Sequence, residues 1–150
     1  MKILIAEDEP KTLLMLRLAL EHRDHEVITT TNGDECINVY RNEFFACARQ
    51  QRVSSDTNDK LSRPFDVVVL DYRMPTKNGI EVAEEILKLN PAERIVFASA
   101  STPAVLQALS IHSGDKRRVE WLQKPFELNL LADMLEDPAN LREATSATLL

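Results

Sequence analysis

Cysteine is scarce in this 150-residue chain, which has only Cys36 and Cys47. Both fall on one predicted helix, eleven residues apart, which at ~1.5 Å rise is roughly 16 Å. That exceeds the ~7 Å Cα limit for a disulfide, so a stapled fold is excluded. Two cysteines alone make no metal site either, and both read as core thiols. Positive charge is also short: 18 Lys and Arg against 24 Asp and Glu leave a net charge of −6. This argues against direct nucleic-acid binding, which needs a basic surface. The longest apolar stretch, LLMLRLAL, is interrupted by Arg17 and is too short to cross a bilayer. MKILIAED reads as a strand from its second residue, with no room for a signal peptide. The expected location is the cytoplasm, with no membrane contact.

What is present fits one soluble domain with a sizeable core, 44% apolar and 28% charged. Strand-like and helix-like segments alternate along it. KILIA (2–6) is a short apolar run before Glu7-Asp8-Glu9, and Pro10 suits the first turn of the helix that follows. HEVITT (25–30) is a β-branched, alternating strand. Asn32-Gly33 signals a turn, and Asp34 is the expected cap of a second helix running to about Gln50. A polar stretch (51–64) without periodicity reads as a loop. FDVVVLD (65–71) is a third strand, followed by a helix stopped by Pro91. RIVFAS (94–99) is a fourth strand, and Thr102 and Pro103 open a helix through 113. VEWLQK (119–124) is a fifth strand, and PFELNLLADMLED the fifth helix. Strict alternation implies parallel strands with right-handed crossovers, hence an α/β, doubly wound, five-stranded parallel sheet with five helices.

Sites in such folds gather at the carboxyl ends of the strands. Here those ends carry Glu7 and Asp8, then Asp71, Ser99 and Lys124. Each has a plainer use when taken singly. Acidic residues favour a helix N-terminus, an Asp makes an Asx turn, and a Lys before Pro is an ordinary surface residue. Five coincidences at four strand exits favour a single crevice instead. Three carboxylates there repel one another, and a hard divalent cation relieves this; Mg²⁺ prefers a few carboxylates with water and phosphate oxygens.

ILIAEDEP (3–10), VVVLDYRMPTKNG (67–79), IVFASA (95–100) and WLQKPF (121–126), in that order, make the chain resemble the receiver domain of two-component response regulators, in its stand-alone, chemotaxis-regulator form. The resemblance implies a flavodoxin-like fold over residues 1–136, with 137–150 as a tail or helix extension. It implies that Asp71 is the phosphoacceptor and that Glu7, Asp8, Asp71 and the backbone carbonyl of Arg73 hold Mg²⁺ (or Mn²⁺). Lys124 then pairs with the phosphoryl group, Ser99 is the switch hydroxyl, and Trp121 takes the position of the aromatic switch. On the residues alone, Trp121 reads equally as a large, half-buried core filler. Arg73 and Ser101 fall where the family tunes the lifetime of its phosphate.

The implied function is a phosphorylation-controlled signalling switch rather than an enzyme acting on a separate substrate. Asp71 accepts a phosphoryl group from a phosphohistidine, and the surface of the fourth helix, fifth strand and fifth helix changes. Implied partners are a histidine kinase or histidine phosphotransferase, a downstream protein target, and as an option a second copy of the chain. A receiver-like interaction module that takes no phosphate is the alternative, against which the full residue set argues. An aspartyl-nucleophile hydrolase would want an acid at position 73, where Arg stands.

The chain departs from the family at residues 45–64, an insertion read as an extended second helix and a long loop, and expected to be tolerated ornament. Lys116, Arg117 and Arg118 form a basic run, expected to be a solvated loop. On the first helix, turning Leu16, Ala19 and Leu20 to the sheet leaves Leu14 and Leu18 on the opposite face. These two are the expected docking stripe for the kinase or phosphotransferase.

Overall fold

The computed structural model describes residues 1–53, 63–100 and 119–137. Within these, five strands and four helices alternate: β1 (Lys2–Ala6), α1 (Pro10–Glu21), β2 (Glu26–Thr30), α2 (Gly33–Val53), β3 (Val67–Leu70), α3 (Gly79–Leu89), β4 (Ile95–Ser99), β5 (Val119–Gln123) and α4 (Leu128–Glu136). The helix expected at 102–113 lies outside the described residues, so α4 is the fifth of the sequence reading. All pairings are parallel, in the order β2-β1-β3-β4-β5. The flavodoxin-like, doubly wound sheet is therefore present.

The aliphatic runs follow from burial on both faces. In β1, Ile3 and Ile5 face one side while Leu4 and Ala6 face the other, the two-residue alternation of a strand. β3 repeats this with Val67 and Val69 against Val68 and Leu70, and β4 with Val96 and Ala98 against Ile95 and Phe97. One side is covered by α1 (Leu13, Leu16, Leu20) and α4 (Leu131, Ala132, Met134, Leu135). The other is covered by α2 (Cys36, Ile37, Tyr40) and α3 (Val82, Ala83, Ile86). The two cysteines are free, Cys36 buried and Cys47 half-buried. Burial in this apolar layer pushes the Cys36 thiol up to about 12.

Helix starts follow local chemistry. Glu9 caps α1, its carboxylate accepting from the amides of Lys11 (3.1 Å) and Thr12 (2.5 Å). Asn78 and Glu81 form a reciprocal capping box on α3. The cap of α2 is corrected. Asn32, not Asp34, supplies the oxygen, accepting from the Glu35 amide at 2.8 Å. Asp34 lies inside the first turn, its own amide directed to the Thr76 hydroxyl at 3.1 Å.

The buried polar contact linking α2 to the far end of the sheet is the Tyr40 hydroxyl, which donates to Glu93 at 2.6 Å. Asn90 donates to the same carboxylate oxygen at 3.3 Å, and Glu93 is fully buried. Tyr40→Phe removes the shorter of these bonds while keeping the ring that stacks on Phe65. We expect a loss of about 1–3 kcal/mol, the cost of leaving a buried polar group short of a partner. A lower urea midpoint with an unchanged m-value would register it; an unchanged midpoint would refute it.

Candidate functional site

The strand order places a topological switch point between β1 and β3, because the chain leaves β1 for β2 on one side and returns to β3 on the other. Backbone pairing sets two carboxylates across it. The Asp71 amide donates to the Ala6 carbonyl at 2.9 Å, and the Glu7 amide to the Thr30 carbonyl at 3.1 Å. One oxygen from each of Glu7, Asp8 and Asp71 then lies within 4.8 Å of the others. Glu7 is only 2% exposed, whereas Asp8 opens to solvent.

Lys124 enters from the end of β5. Its amide donates to the Ser99 carbonyl at 3.0 Å, fixing its place beside the end of β4. Its ammonium bonds Glu7 Oε2 at 2.5 Å and stands 3.6 Å from Asp71 Oδ1. The other Glu7 oxygen accepts from the Glu9 amide at 3.1 Å, and Asp71 Oδ1 accepts from the Tyr72 amide at 2.8 Å. Burial raises the Asp71 carboxyl above the ordinary range, the Glu7 charge raises it further, and Lys124 opposes both.

Asp71, Arg73, Ser99, Ala100 and Lys124 line an open cleft of about 360 Å³. Ser99 is buried at its wall, and Ala100 leaves the mouth without a bulky side chain. The structure thus brings Glu7, Asp8, Asp71, Arg73, Ser99 and Lys124 to one rim. Trp121 does not line this cleft: it lies on β5, level with Phe97, and is 36% exposed. Leu14 and Leu18 are exposed on α1, with Met15 beside them. Ser101, the basic run at 116–118 and the tail from residue 138 lie outside the described residues.

The donor set fits a hard dication. Three carboxylates against one ammonium leave two negative charges when all are ionised, and oxygen is the ligand Mg²⁺ prefers. Burial first, and the Glu7 charge second, hold the Asp71 carboxyl above its ordinary range, and an added cation would relieve both.

The loop after Asp71 has features that local sequence patterns do not reveal. Gly79 donates its amide to the Tyr72 carbonyl at 2.8 Å, and a Cβ there would sit 2.3 Å from the Asp71 carbonyl oxygen. Gly33, at the start of α2, approaches as closely: its Cβ would meet the Lys77 carbonyl at 2.5 Å. Thr76 holds φ at 69°, a left-handed conformation costly for a β-branched residue, and its hydroxyl accepts the Asp34 amide. Asn32-Gly33 signalled only a turn; nothing nearby marks a contact some forty residues downstream.

With this geometry the comparisons with known proteins agree. The sequence profile of the response regulator receiver domain matches residues 50–136, and the chain belongs to that family. It is 27% identical over 135 residues to the chemotaxis protein CheY of Thermotoga maritima, covering 89% of this chain and 93% of that protein. It is 27% identical to the transcriptional regulator NtrC of Azospirillum brasilense over 92% of this chain, but spans only 24% of NtrC. Among solved structures, the response regulator TrrA of T. maritima, in complex with Mg²⁺ and BeF, aligns with a TM-score of 0.60 and 25% identity over 90% of this chain and 96% of that one. The chain is thus CheY-like in extent, and receiver domains are signalling proteins. Among the described residues no helix is long and apolar enough to cross a membrane.

The raised Asp71 carboxyl has a thermal consequence. The folded state holds that proton more tightly than the unfolded chain, so stability falls as pH rises from the ordinary carboxylate range through the folded value. Above it, the ionised group is a standing cost. Asp71→Asn removes the charge and keeps the Tyr72 contact, so at pH 7 it should melt a few degrees higher, the scale of about 1 kcal/mol. That advantage should shrink toward pH 4. Mg²⁺ should raise the melting temperature of the wild type more than that of the variant. Equal melting of the two at pH 7 would refute this cost of the partly buried, ionised carboxylate.

Proposed function

We propose that this chain is a phosphorylation-controlled switch of a two-component phosphorelay, acting in the cytoplasm. The observation that carries the reading is the meeting of Glu7, Asp8 and Asp71 within 4.8 Å, with the Lys124 ammonium against two of them. An Asp71 carboxylate oxygen attacks the phosphorus of a phosphohistidine in line. The new O–P bond forms as the P–N bond breaks, and the imidazole nitrogen leaves with the electron pair and takes up a proton. Lys124 stands beside Asp71 to offset charge spreading over the transferred oxygens. Glu7, Asp8, Asp71 and the Arg73 carbonyl would hold Mg²⁺ (or Mn²⁺), which supplies Lewis-acid neutralisation of the phosphoryl group when bound. The complex of TrrA with Mg²⁺ and BeF supports this reading by similarity.

Ser99 then serves as the switch hydroxyl. A phosphoryl group on Asp71 offers it an acceptor across the cleft, which draws the end of β4 inward. Trp121, half exposed on the neighbouring strand, follows and changes the surface that a downstream protein reads. The donor is a histidine kinase or histidine phosphotransferase, and Leu14 and Leu18, each more than half exposed, meet its helices.

Two measurements test this. Incubation with Mg²⁺ and acetyl phosphate should add one hydroxylamine-sensitive phosphoryl group by mass spectrometry, absent in Asp71→Asn and slowed roughly 10²-fold in Lys124→Ala. No uptake by the wild type would leave an unphosphorylated interaction module as the reading. Leu14→Lys with Leu18→Lys should slow transfer from a phosphohistidine protein by about tenfold or more, the weight of two apolar anchors, while labelling by acetyl phosphate stays normal. Unchanged transfer would remove α1 from the docking assignment.

A further inference from the structure

Helix α2 is 21 residues long, about 32 Å at ~1.5 Å per residue. Cys36, Ile37 and Tyr40, in its first half, are buried against the sheet. Its second half carries a different pattern. At ~100° per residue, Arg41, Phe45, Arg49 and Arg52 fall within an arc of about 80°. All four are exposed, Phe45 by 49%. The only acidic residue between 38 and 52, Glu43, lies on another face and is bonded to Lys2.

We propose that this outer face of α2 is a docking surface for an acidic protein segment carrying a large apolar side chain. In a chain of net charge −6, exposed guanidiniums would be expected to find carboxylates. Arg41 does, at Glu85 (2.7 Å). Among the described residues Arg49 and Arg52 do not: Arg49 donates only to the Phe45 carbonyl at 3.3 Å. One turn before Arg49 stands an apolar ring that is held rather than loose. Phe45 packs edge-on against Phe44 at 5.6 Å, and Phe44 in turn stacks on the buried Tyr40 at 6.3 Å. A fixed exposed aromatic beside arginines that meet no carboxylate among the described residues is the composition of an interface anchor.

Charge selects the occupant. Guanidiniums pair carboxylates two bonds at a time, and Phe45 asks for an apolar side chain opposite it. Arg41 to Arg52 spans about 16 Å, the length of a short peptide segment. A duplex or an anionic membrane would extend past the stripe onto a net acidic surface, farther than the ~8 Å over which charge is felt at physiological salt. A short acidic segment stays within the favourable field.

The test uses the full chain as bait against a displayed library of random 14-residue peptides, with binders to the Arg49→Glu/Arg52→Glu variant subtracted. Enriched peptides should be net negative with at least one large apolar residue. Synthesised, they should bind with salt-sensitive affinity and lose about tenfold or more in the double variant and in Phe45→Ala. Both variants should keep the wild-type melting temperature and acetyl-phosphate labelling. The proposal is overturned if no variant-sensitive peptide is enriched, if Phe45→Ala binds as well as wild type, or if duplex DNA or phosphatidylserine vesicles bind through the same arginines. Binding is read on the unphosphorylated protein, so its failure is distinct from a failure of phosphate uptake at Asp71.

Discussion

Repulsion between Glu7 and Asp71 organises this end of the molecule. Main-chain pairing forces the two together: the Asp71 amide is spent on the Ala6 carbonyl, one residue before Glu7. The β1–β3 register therefore fixes the main chains of the two residues side by side. The chain's response is to neutralise rather than separate. Lys124 comes from the sheet's far edge to within 2.5 Å of Glu7 and 3.6 Å of Asp71, and the Glu9 and Tyr72 amides add two donors. Burial and the neighbouring Glu7 charge together still hold the Asp71 carboxyl above its ordinary range. A carboxylate in that condition gains most from an added cation and is freest to share its charge with an incoming electrophile.

The compensation depends on the sheet being parallel and covered on both faces. Antiparallel strands would send alternate exits to opposite rims, whereas four parallel strands deliver Glu7, Asp71, Ser99 and Lys124 to one. Burial on both faces makes β1, β3 and β4 continuous apolar runs, so the polar residue that ends each run is also the first free to face the crevice. Fold and site share that cause.

Much of this was legible because strand exits are a local signal. Runs such as VVVLD show where burial ends, and helix signals between them imply parallel order. The second helix was legible to within three residues at its C-terminal end, since Ile37, Tyr40 and Phe44 repeat with helical period. Less visible was anything decided across the fold. Asp34 was the expected cap because it follows Asn32-Gly33, yet its amide is taken by Thr76, and Asn32 caps instead. The spacing of Tyr40 with Ile37 and Phe44 marks a helix and nothing more. Its hydroxyl has a buried carboxylate as partner fifty-three residues on, which periodicity does not encode. Trp121 could be placed on a strand, but its pairing level with Phe97 could not be read from the sequence.

The contact between α2 and the loop after Asp71 shows how those unreadable pairings bear on the site. Thr76 accepts a left-handed backbone that costs of order 1–2 kcal/mol for an ordinary L-residue, and its hydroxyl meets the Asp34 amide at the start of α2. Gly33 donates to the Pro75 carbonyl at 3.3 Å, and its missing Cβ lets Lys77 come within contact. Three consecutive loop residues are thereby pressed onto one helix terminus, and the same loop begins with Asp71 and Arg73. Movement of α2 along its axis would therefore be felt first at Pro75 and Thr76, within five residues of the carboxylate. The helix that carries the basic and aromatic stripe at one end holds this loop at the other.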